Sequence, residues 1–395
     1  MSKDAKLHIE NLENRLALTG AIVAFVDSGI DLNHKDLSEN IWTNPSEKVD
    51  GIDNDNNGYI DDINGWDFAN NDNIPQDDFY HGTHIAGIVD SVSKNTVTLM
   101  PLKFQNYQGL GYTGAAATAI NYATKMKLRG HNIAAINLSW GGGTSSSLAL
   151  YNAIKNASDA GIVVVIAAGN NSSDNDLLPR YPSSYKFNNT ISVAGLNSNM
   201  TLAGYSNYGK NSVEIGAIGT AYSTLPGNNY GTISGTSMAA PNVSAAVAML
   251  KNVNVNYGAN QIKWAILSTA KMVAGLVDRV TYGYLDIQGA MGLNMVPKPD
   301  IIPIQPPQPI VVPIVESHAH VVSVNKHYVK TQTQDGAGRL TIKINNMVRY
   351  ESDVSGYLSV YIKRWMTKRY NNVTVVFKSN LGKESIIYQG SLRAR

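Results

Sequence analysis

Ser237 stands at the mouth of an apolar helix. The octamer Ser234-Gly235-Thr236-Ser237-Met238-Ala239-Ala240-Pro241 leads directly into Val243-Ser244-Ala245-Ala246-Val247-Ala248-Met249-Leu250. Exposed amides at a helix start carry partial positive charge where an oxyanion could form. Gly235 is expected to let the backbone turn sharply ahead of the serine. Taken alone, the octamer reads equally well as a capped helix start. Two further motifs give it partners. Asp27 closes the apolar run Ala21-Ile22-Val23-Ala24-Phe25-Val26, which reads as a buried parallel strand. It therefore sits at a strand's carboxyl end, where open α/β sheets place their chemistry. His81 heads His81-Gly82-Thr83-His84-Ile85-Ala86-Gly87-Ile88-Val89, a second helix start. An acid, a base and a hydroxyl are the parts of an acyl-transfer site. A serine hydroxyl is a poor nucleophile until a base takes its proton, and the acid fixes the base's tautomer and stabilises its charged form. A zinc pair of His81 and His84 lacks a third ligand at metal-site spacing, so His84 is expected to be structural.

The chain order Asp27, His81, Ser237, joined by Val165-Ile166-Ala167-Ala168-Gly169-Asn170, resembles the subtilases, the subtilisin-like serine endopeptidases. The likeness runs over roughly residues 20 to 296, the size of one large α/β domain. It implies hydrolysis of protein or peptide substrates, with the Asn170 side-chain amide and the Ser237 N–H forming the oxyanion hole. It also implies that Gly109-Leu110-Gly111-Tyr112 is an edge strand flanking an extended substrate. Leu138-Ser139-Trp140-Gly141-Gly142-Gly143 would be the strand on the other side. Binding by strand addition rests on main-chain hydrogen bonds and predicts broad specificity. Ala167, Ala168 and Gly169 should line the pocket for the residue before the scissile bond. Asn171 is uncharged, so nothing there demands a basic substrate residue. Trp140 either narrows this pocket, extends its apolar wall, or is a half-buried packing aromatic. The competing functional class is a catalytically inactive subtilase-like binding module.

A second constellation is Asp53-Asn54-Asp55-Asn56-Asn57-Gly58-Tyr59-Ile60-Asp61-Asp62. Oxygen side chains at Asp53, Asp55 and Asn57, followed by Gly58, match the start of an EF-hand loop, in which Tyr59 offers its carbonyl. Asn64 stands where the loop's closing glutamate belongs, so Asp61 or Asp62 must complete the shell. The reading is a structural calcium, which the resemblance supports; the alternative is a solvated Asn/Asp turn. Asp36 occupies a position where subtilases often bind another calcium. The loop that such a site uses is missing after the histidine helix, and Asp36 is expected to pair locally.

The elements that must carry these residues alternate. Strands are expected at Val97–Phe104, Ile133–Ser139 and Ile162–Ala168, with helices at Ala115–Leu128, Leu148–Ala160 and Gln261–Ala270. The fold class is α/β, a doubly wound and mostly parallel sheet, plus a small all-β C-terminal domain. The organisation expected is a lead-in at 1–19, a catalytic domain at 20–296, a Pro-rich linker at 297–317 and a β-sandwich-like accessory domain at 318–395. Pro182 falls where the family can carry a cis-proline turn. In the last segment Lys363-Arg364 and Lys368-Arg369 flank Trp365, which marks either a surface or polysaccharide contact or a solvated basic face. His318 and His320 are read as exposed histidines rather than a metal pair.

With 43% hydrophobic and 16% charged residues the composition is that of an ordinary globular chain. The net charge of +2 is unevenly shared: residues 318–395 hold 13 basic and 4 acidic residues, leaving 19 and 26 for the rest. Neither a nucleic-acid partner nor a membrane span is expected, since no apolar run approaches spanning length. A monomer is expected. There are no cysteines to report a redox compartment, and residues 1–20 lack the apolar core of a signal peptide. An extracellular or secreted location is expected from the resemblance alone.

Overall fold

The computed structural model describes residues 20–293 in full, together with the backbone of seven strand segments between residues 319 and 393. The lead-in 1–19, the Pro-rich stretch 297–317, His318 and the Lys363–Arg369 cluster lie outside the described residues. The chain divides into two units, residues 1–300 and 301–395.

In chain order, the first unit holds β1 (Ile22–Asp27), β2 (Trp66–Asp67), α1 (His81–Ser93), β3 (Thr98–Lys103), α2 (Thr113–Leu128), β4 (Ile133–Leu138), α3 (Leu148–Asp159), β5 (Val163–Ala167), β6 (Thr190–Leu196) and β7 (Ile215–Ile218). The hairpin β8 (Thr220–Leu225) and β9 (Asn229–Ser234) follows, then α4 (Thr236–Val253), α5 (Ala259–Thr269) and α6 (Ile287–Met291). Strands β1 to β7 form one sheet in the order β2-β3-β1-β4-β5-β6-β7, and every pairing in it is parallel. The sheet is α/β and doubly wound, as the alternating pattern predicts. Expected strand and helix limits fall within two residues of the observed ones.

All six residues of β1 are buried, because the sheet is covered on both faces. Alternation divides them between two cores. Ala21, Val23 and Phe25 pack with Ile85 and Val89 of α1, Val243 and Val247 of α4, and Ile262 and Ile266 of α5. Ile22, Ala24 and Val26 pack on the other face with Ile120 and Met126 of α2 and Leu150 and Ile154 of α3. Each large side chain so buried contributes about 1.5–3 kcal/mol.

The strand order fixes where chemistry can occur. After β1 the chain moves to one side to form β2 and β3, and then crosses to β4 on the other. The carboxyl ends of β1 and β4 therefore flank the topological switch point, the crevice where open sheets bind ligands. Asp27 ends β1 and Ser139 follows β4.

The second unit consists of antiparallel strands: β10 (Ala319–Val324), β11 (Tyr328–Thr333), β12 (Gly338–Ile344), β13 (Met347–Val354), β14 (Tyr357–Tyr361), β15 (Tyr370–Ser379) and β16 (Glu384–Arg393). They form a sheet of order β10-β11-β14 and another of order β13-β12-β15-β16. Among the described residues no helix is long and apolar enough to cross a membrane.

Candidate active site

Asp27 is fully buried at the end of β1. Its Oδ1 accepts from the Ser28 N–H at 2.8 Å and from His81 Nδ1 at 2.7 Å. A carboxylate can only accept here, so the proton sits on Nδ1 and His81 Nε2 is left with a lone pair. His81 is the first residue of α1, and its side chain is 17% exposed. Burial works against its positive charge, but the charge and hydrogen bond of Asp27, with a further charge from Asp77, outweigh it and raise its pKa above the ordinary 6.5.

Sequence reasoning missed Asp77, which ties the two elements together. Its Oδ1 accepts from Ser28 Oγ at 2.9 Å, and its Oδ2 from the Thr83 N–H at 2.9 Å and Thr83 Oγ1 at 2.6 Å. Ser28 Oγ in turn accepts from the Gly82 N–H at 2.8 Å. Asp77 thus caps α1 from outside the usual capping position and places negative charge at its N-terminus. Gly82 permits the approach, since a Cβ there would lie 2.0 Å from the Gly29 carbonyl oxygen.

Ser237 lies in the first turn of α4, where backbone N–H groups have no intrahelical acceptor. Its Oγ donates to the Ser139 carbonyl at 2.8 Å, and no Ser237–His81 hydrogen bond occurs among the described residues. A buried polar relay fixes this strand end against α4. Ser244 Oγ donates to Asn137 Oδ1 (2.8 Å), Asn137 Nδ2 to Ser139 Oγ (2.9 Å), and Ser139 Oγ to the Ser237 carbonyl (2.8 Å).

Asn170 follows β5. Its Oδ1 accepts from the Thr236 N–H at 2.8 Å and from Thr236 Oγ1 at 2.9 Å. These two donors settle which amide atom is oxygen and turn Nδ2 toward Gly235. At φ 164° Gly235 is extended, so the expected sharp glycine turn is not its role. A Cβ there would stand 3.3 Å from Asn170 Nδ2, and glycine is needed to leave that amide room.

The expected substrate-flanking segments differ from each other. Gly109, Leu110 and Gly111 form an exposed loop rather than a strand, closed by an isolated bridge from Gln105 to Gly111. The Asn106 side chain holds the loop through the Gln108 and Leu110 N–H groups, so its own edge has no regular partner. On the other side, β4 ends at Leu138, and Gly142 and Gly143 pair with Tyr181. Trp140 packs at 4.8 Å against Phe104 and donates its indole N–H to the Val26 carbonyl at 2.6 Å. These contacts are those of a packing aromatic. Ala168 is buried, and its carbonyl accepts from Asn175 and Asn207; Gly169 donates to Thr236 Oγ1. The Tyr181–Pro182 peptide is cis. His84 is buried, with Nε2 on the Gly231 carbonyl, in keeping with a structural role. A surface cavity of about 610 Å³ lies apart from these residues beside Asp36, Asp90 and Tyr230. Asp36 there accepts from the hydroxyl of Tyr230, a partner distant in sequence rather than a local one.

The acidic loop is rearranged relative to the EF-hand expectation. Glu47, Asp53 and Asp55 converge, with one oxygen of each within 4.8 Å of the others. Asp55 Oδ1 and Glu47 Oε2 are buried without hydrogen-bond partners, with Arg129 3.4 Å from the former. Orphaned carboxylate oxygens beside a third carboxylate suit a hard cation. The other expected ligands are used locally. Asn57 gives its oxygen to the Tyr59 N–H and its amide to Asp55 and Asp62. Asp61 accepts from the Asp50 and Gly51 N–H groups. Asp62 is buried beneath Tyr122, Asn57 and Asn44, and burial pushes its carboxyl up to about 6. The Tyr59 ring packs among Trp66, Phe68 and Tyr122. Asp53 and Asp55 thus remain in the cluster, and Glu47, which lies outside the loop's spacing, joins them.

Comparison with known proteins assigns the class. The family described as "Subtilase family" matches residues 19–289, more than half of the chain, and the chain belongs to that family. It is 33% identical over 315 residues to Subtilisin-like protease 1 of Plasmodium vivax, covering 71% of this chain and 48% of that protein. It is 32% identical over 267 residues to thermitase of Thermoactinomyces vulgaris, covering 65% of this chain and 83% of that one. The chain spans about half the length of the Plasmodium relatives it matches. A solved structure, that of a cold adapted subtilisin-like serine proteinase, aligns with a TM-score of 0.53 at 25% identity, covering 68% of this chain and 91% of that one.

Proposed function

We propose that this chain is a serine endopeptidase in which Ser237 attacks a peptide carbonyl, His81 takes and returns the proton, and Asp27 orients and stabilises His81. The observation that carries the reading is the 2.7 Å bond from His81 Nδ1 to the buried Asp27, which leaves Nε2 free to act as base. Asn170 Nδ2 and the Ser237 N–H would receive the oxyanion. Peptides would lie extended between residues 109–111 and 139–141, with Ala168 and Gly169 beside the first pocket. Recognition mainly through backbone supports tolerance along most of the substrate. Secretion belongs to the same reading as a family habit, and a surface or polysaccharide contact remains the proposal for the C-terminal β domain. The direct test is a fluorophosphonate serine probe: labelling should map to Ser237, and folded protein that stays unlabelled returns the chain to the class of inactive binding modules.

The pH dependence follows from His81. The base must be neutral, so kcat/KM should rise with pH through a midpoint above 6.5. Asp77→Asn removes one of the charges raising that pKa and should move the midpoint down. The linked stability runs the opposite way: the charged His81–Asp27 pair stabilises the fold below pH 6.5 and fades as pH climbs through the raised value. A midpoint at or below 6.5, unmoved by Asp77→Asn, would contradict this account.

We also propose that Glu47, Asp53 and Asp55 hold a structural calcium, supported by the convergence of the three carboxylates and by Glu47 Oε2, which is buried without a hydrogen-bond partner. Calcium there would offset two of the three carboxylate charges and stiffen the loop. At a hundredfold excess over Kd, binding adds about 2.7 kcal/mol, or on the order of 5–10 °C in Tm. Chelation should lower Tm by that amount, and Glu47→Gln with Asp55→Asn should remove the response. A melting curve indifferent to chelator counts against the site.

A further inference from the structure

We infer that Arg180 determines specificity in the pocket for the residue preceding the scissile bond, and that this pocket selects an acidic side chain, Asp or Glu. The inference rests on the endopeptidase reading above and narrows it at one substrate position.

On the endopeptidase reading, the walls of this pocket are the segments that follow β4 and β5. Residues 180–183 join them. The Gly142 N–H donates to the Tyr181 carbonyl at 3.2 Å, and the Tyr181 N–H to the Gly143 carbonyl at 2.8 Å. Ser183 Oγ reaches the Arg180 carbonyl at 2.9 Å and the Ala168 carbonyl at 3.4 Å. Arg180 is thus held where the two walls meet, and its Nη1 donates to the Gly142 carbonyl at 2.9 Å. Gly141, Gly142 and Gly143 present no side chains. The nearest side chain across from Gly142 is Asn171, whose Oδ1 would lie 3.5 Å from a Cβ built there. Beside that neutral amide, the guanidinium brings the charge to this end of the cleft.

That guanidinium is under-used. Residues 20–293 contain three arginines. Arg129 pairs with Asp55 and bonds the Asp55 and Asn56 carbonyls, and Arg279 stacks on Tyr208. Arg180 takes part in none of the ion pairs among the described residues. It is half-buried, and its Nε is buried without an acceptor. A neutral donor would serve as well to prop the Gly142 carbonyl, without the penalty of a part-buried unpaired charge. A guanidinium offers five donors in a planar fork that matches a carboxylate with two parallel bonds. A substrate Asp or Glu would supply the missing acceptors and the missing charge. A Lys or Arg in its place would meet like charge.

The test is a series of internally quenched peptides, identical except for Glu, Gln, Leu or Lys before the scissile bond. The wild-type protein should cleave the Glu peptide with kcat/KM about tenfold above its Gln counterpart, with the Lys peptide poorest. Arg180→Gln should bring the Glu to Gln ratio to about one. Arg180→Lys, which keeps charge but loses the fork, should fall between and serves if the first variant does not fold. A wild-type ratio of one or below, or a preference undiminished in either variant, overturns the assignment. Fluorophosphonate labelling separates the two levels. Labelled protein with no acidic preference removes only Arg180's role, and unlabelled, inert protein removes the endopeptidase reading and this inference together.

Discussion

Replacing Ser237 by alanine is expected to lower kcat by on the order of 10⁶-fold, the loss known for the nucleophile of subtilisin itself, and to abolish fluorophosphonate labelling. The structural cost should be small. The Oγ makes one hydrogen bond, to the Ser139 carbonyl, and such a bond is worth about 1 kcal/mol. The relay through Ser139 Oγ uses the Ser237 backbone carbonyl, which alanine keeps. Turnover and stability should therefore separate: a folded, nearly wild-type melting curve and no measurable peptide hydrolysis. Because the nucleophile and base act as a unit, the double variant Ser237→Ala with His81→Ala should be no worse than Ser237→Ala alone. Peptidase activity that persists in Ser237→Ala, after contaminating protease is excluded with the same probe, would remove Ser237 from the chemistry. Losses that multiply in the double variant would show that His81 acts independently of it.

What could be read from the chain and what could not divide by range of interaction. The strand β1 was legible because a sheet covered on both faces demands an unbroken apolar run. The positions of Asp27, His81 and Ser237 were legible because each lies at an element's end within a short local motif. The partners that hold them were not. Asp77 bonds Ser28 across 49 residues, and Ser244 bonds Asn137 across 107; only strand order brings such pairs together, and no spacing encodes it. Local pattern also misled in two places. The Asp53–Asp62 run has the oxygen spacing of a calcium loop. Yet Asn57, Asp61 and Asp53 all accept from neighbouring backbone N–H groups, and the carboxylate that converges with Asp53 and Asp55 belongs to Glu47, outside the run. Gly235 looked like a turn glycine and proves to be a space-leaving one. Arg180 carried no signal in the sequence, because the meaning proposed for it depends on its having no carboxylate partner among the described residues, which only three dimensions reveal.

The second large effect is expected at Asn170. If its amide serves only the oxyanion, Asn170→Leu should reduce kcat about 10²–10³-fold, or about 2.7–4 kcal/mol of transition-state stabilisation, the range measured for the equivalent subtilisin asparagine, and leave KM nearly unchanged. The geometry explains why the effect should appear in kcat. Both of its oxygen's donors come from Thr236, so the side chain is oriented before substrate arrives and pays no reorganisation when negative charge develops. Its Nδ2 has no acceptor among the described residues, which fits a donor held in reserve for a charge absent from the ground state. Asn170→Asp keeps the shape but replaces that donor with an acceptor, and should be at least as damaging as leucine. Thr236→Val retains the backbone donor and loses Oγ1, so the amide stays in place but less firmly, and the loss should be intermediate. The decisive reading is the split between the two constants. A rise in KM with kcat preserved would make Asn170 a ground-state contact and leave the Ser237 N–H and the α4 N-terminus to stabilise the oxyanion alone.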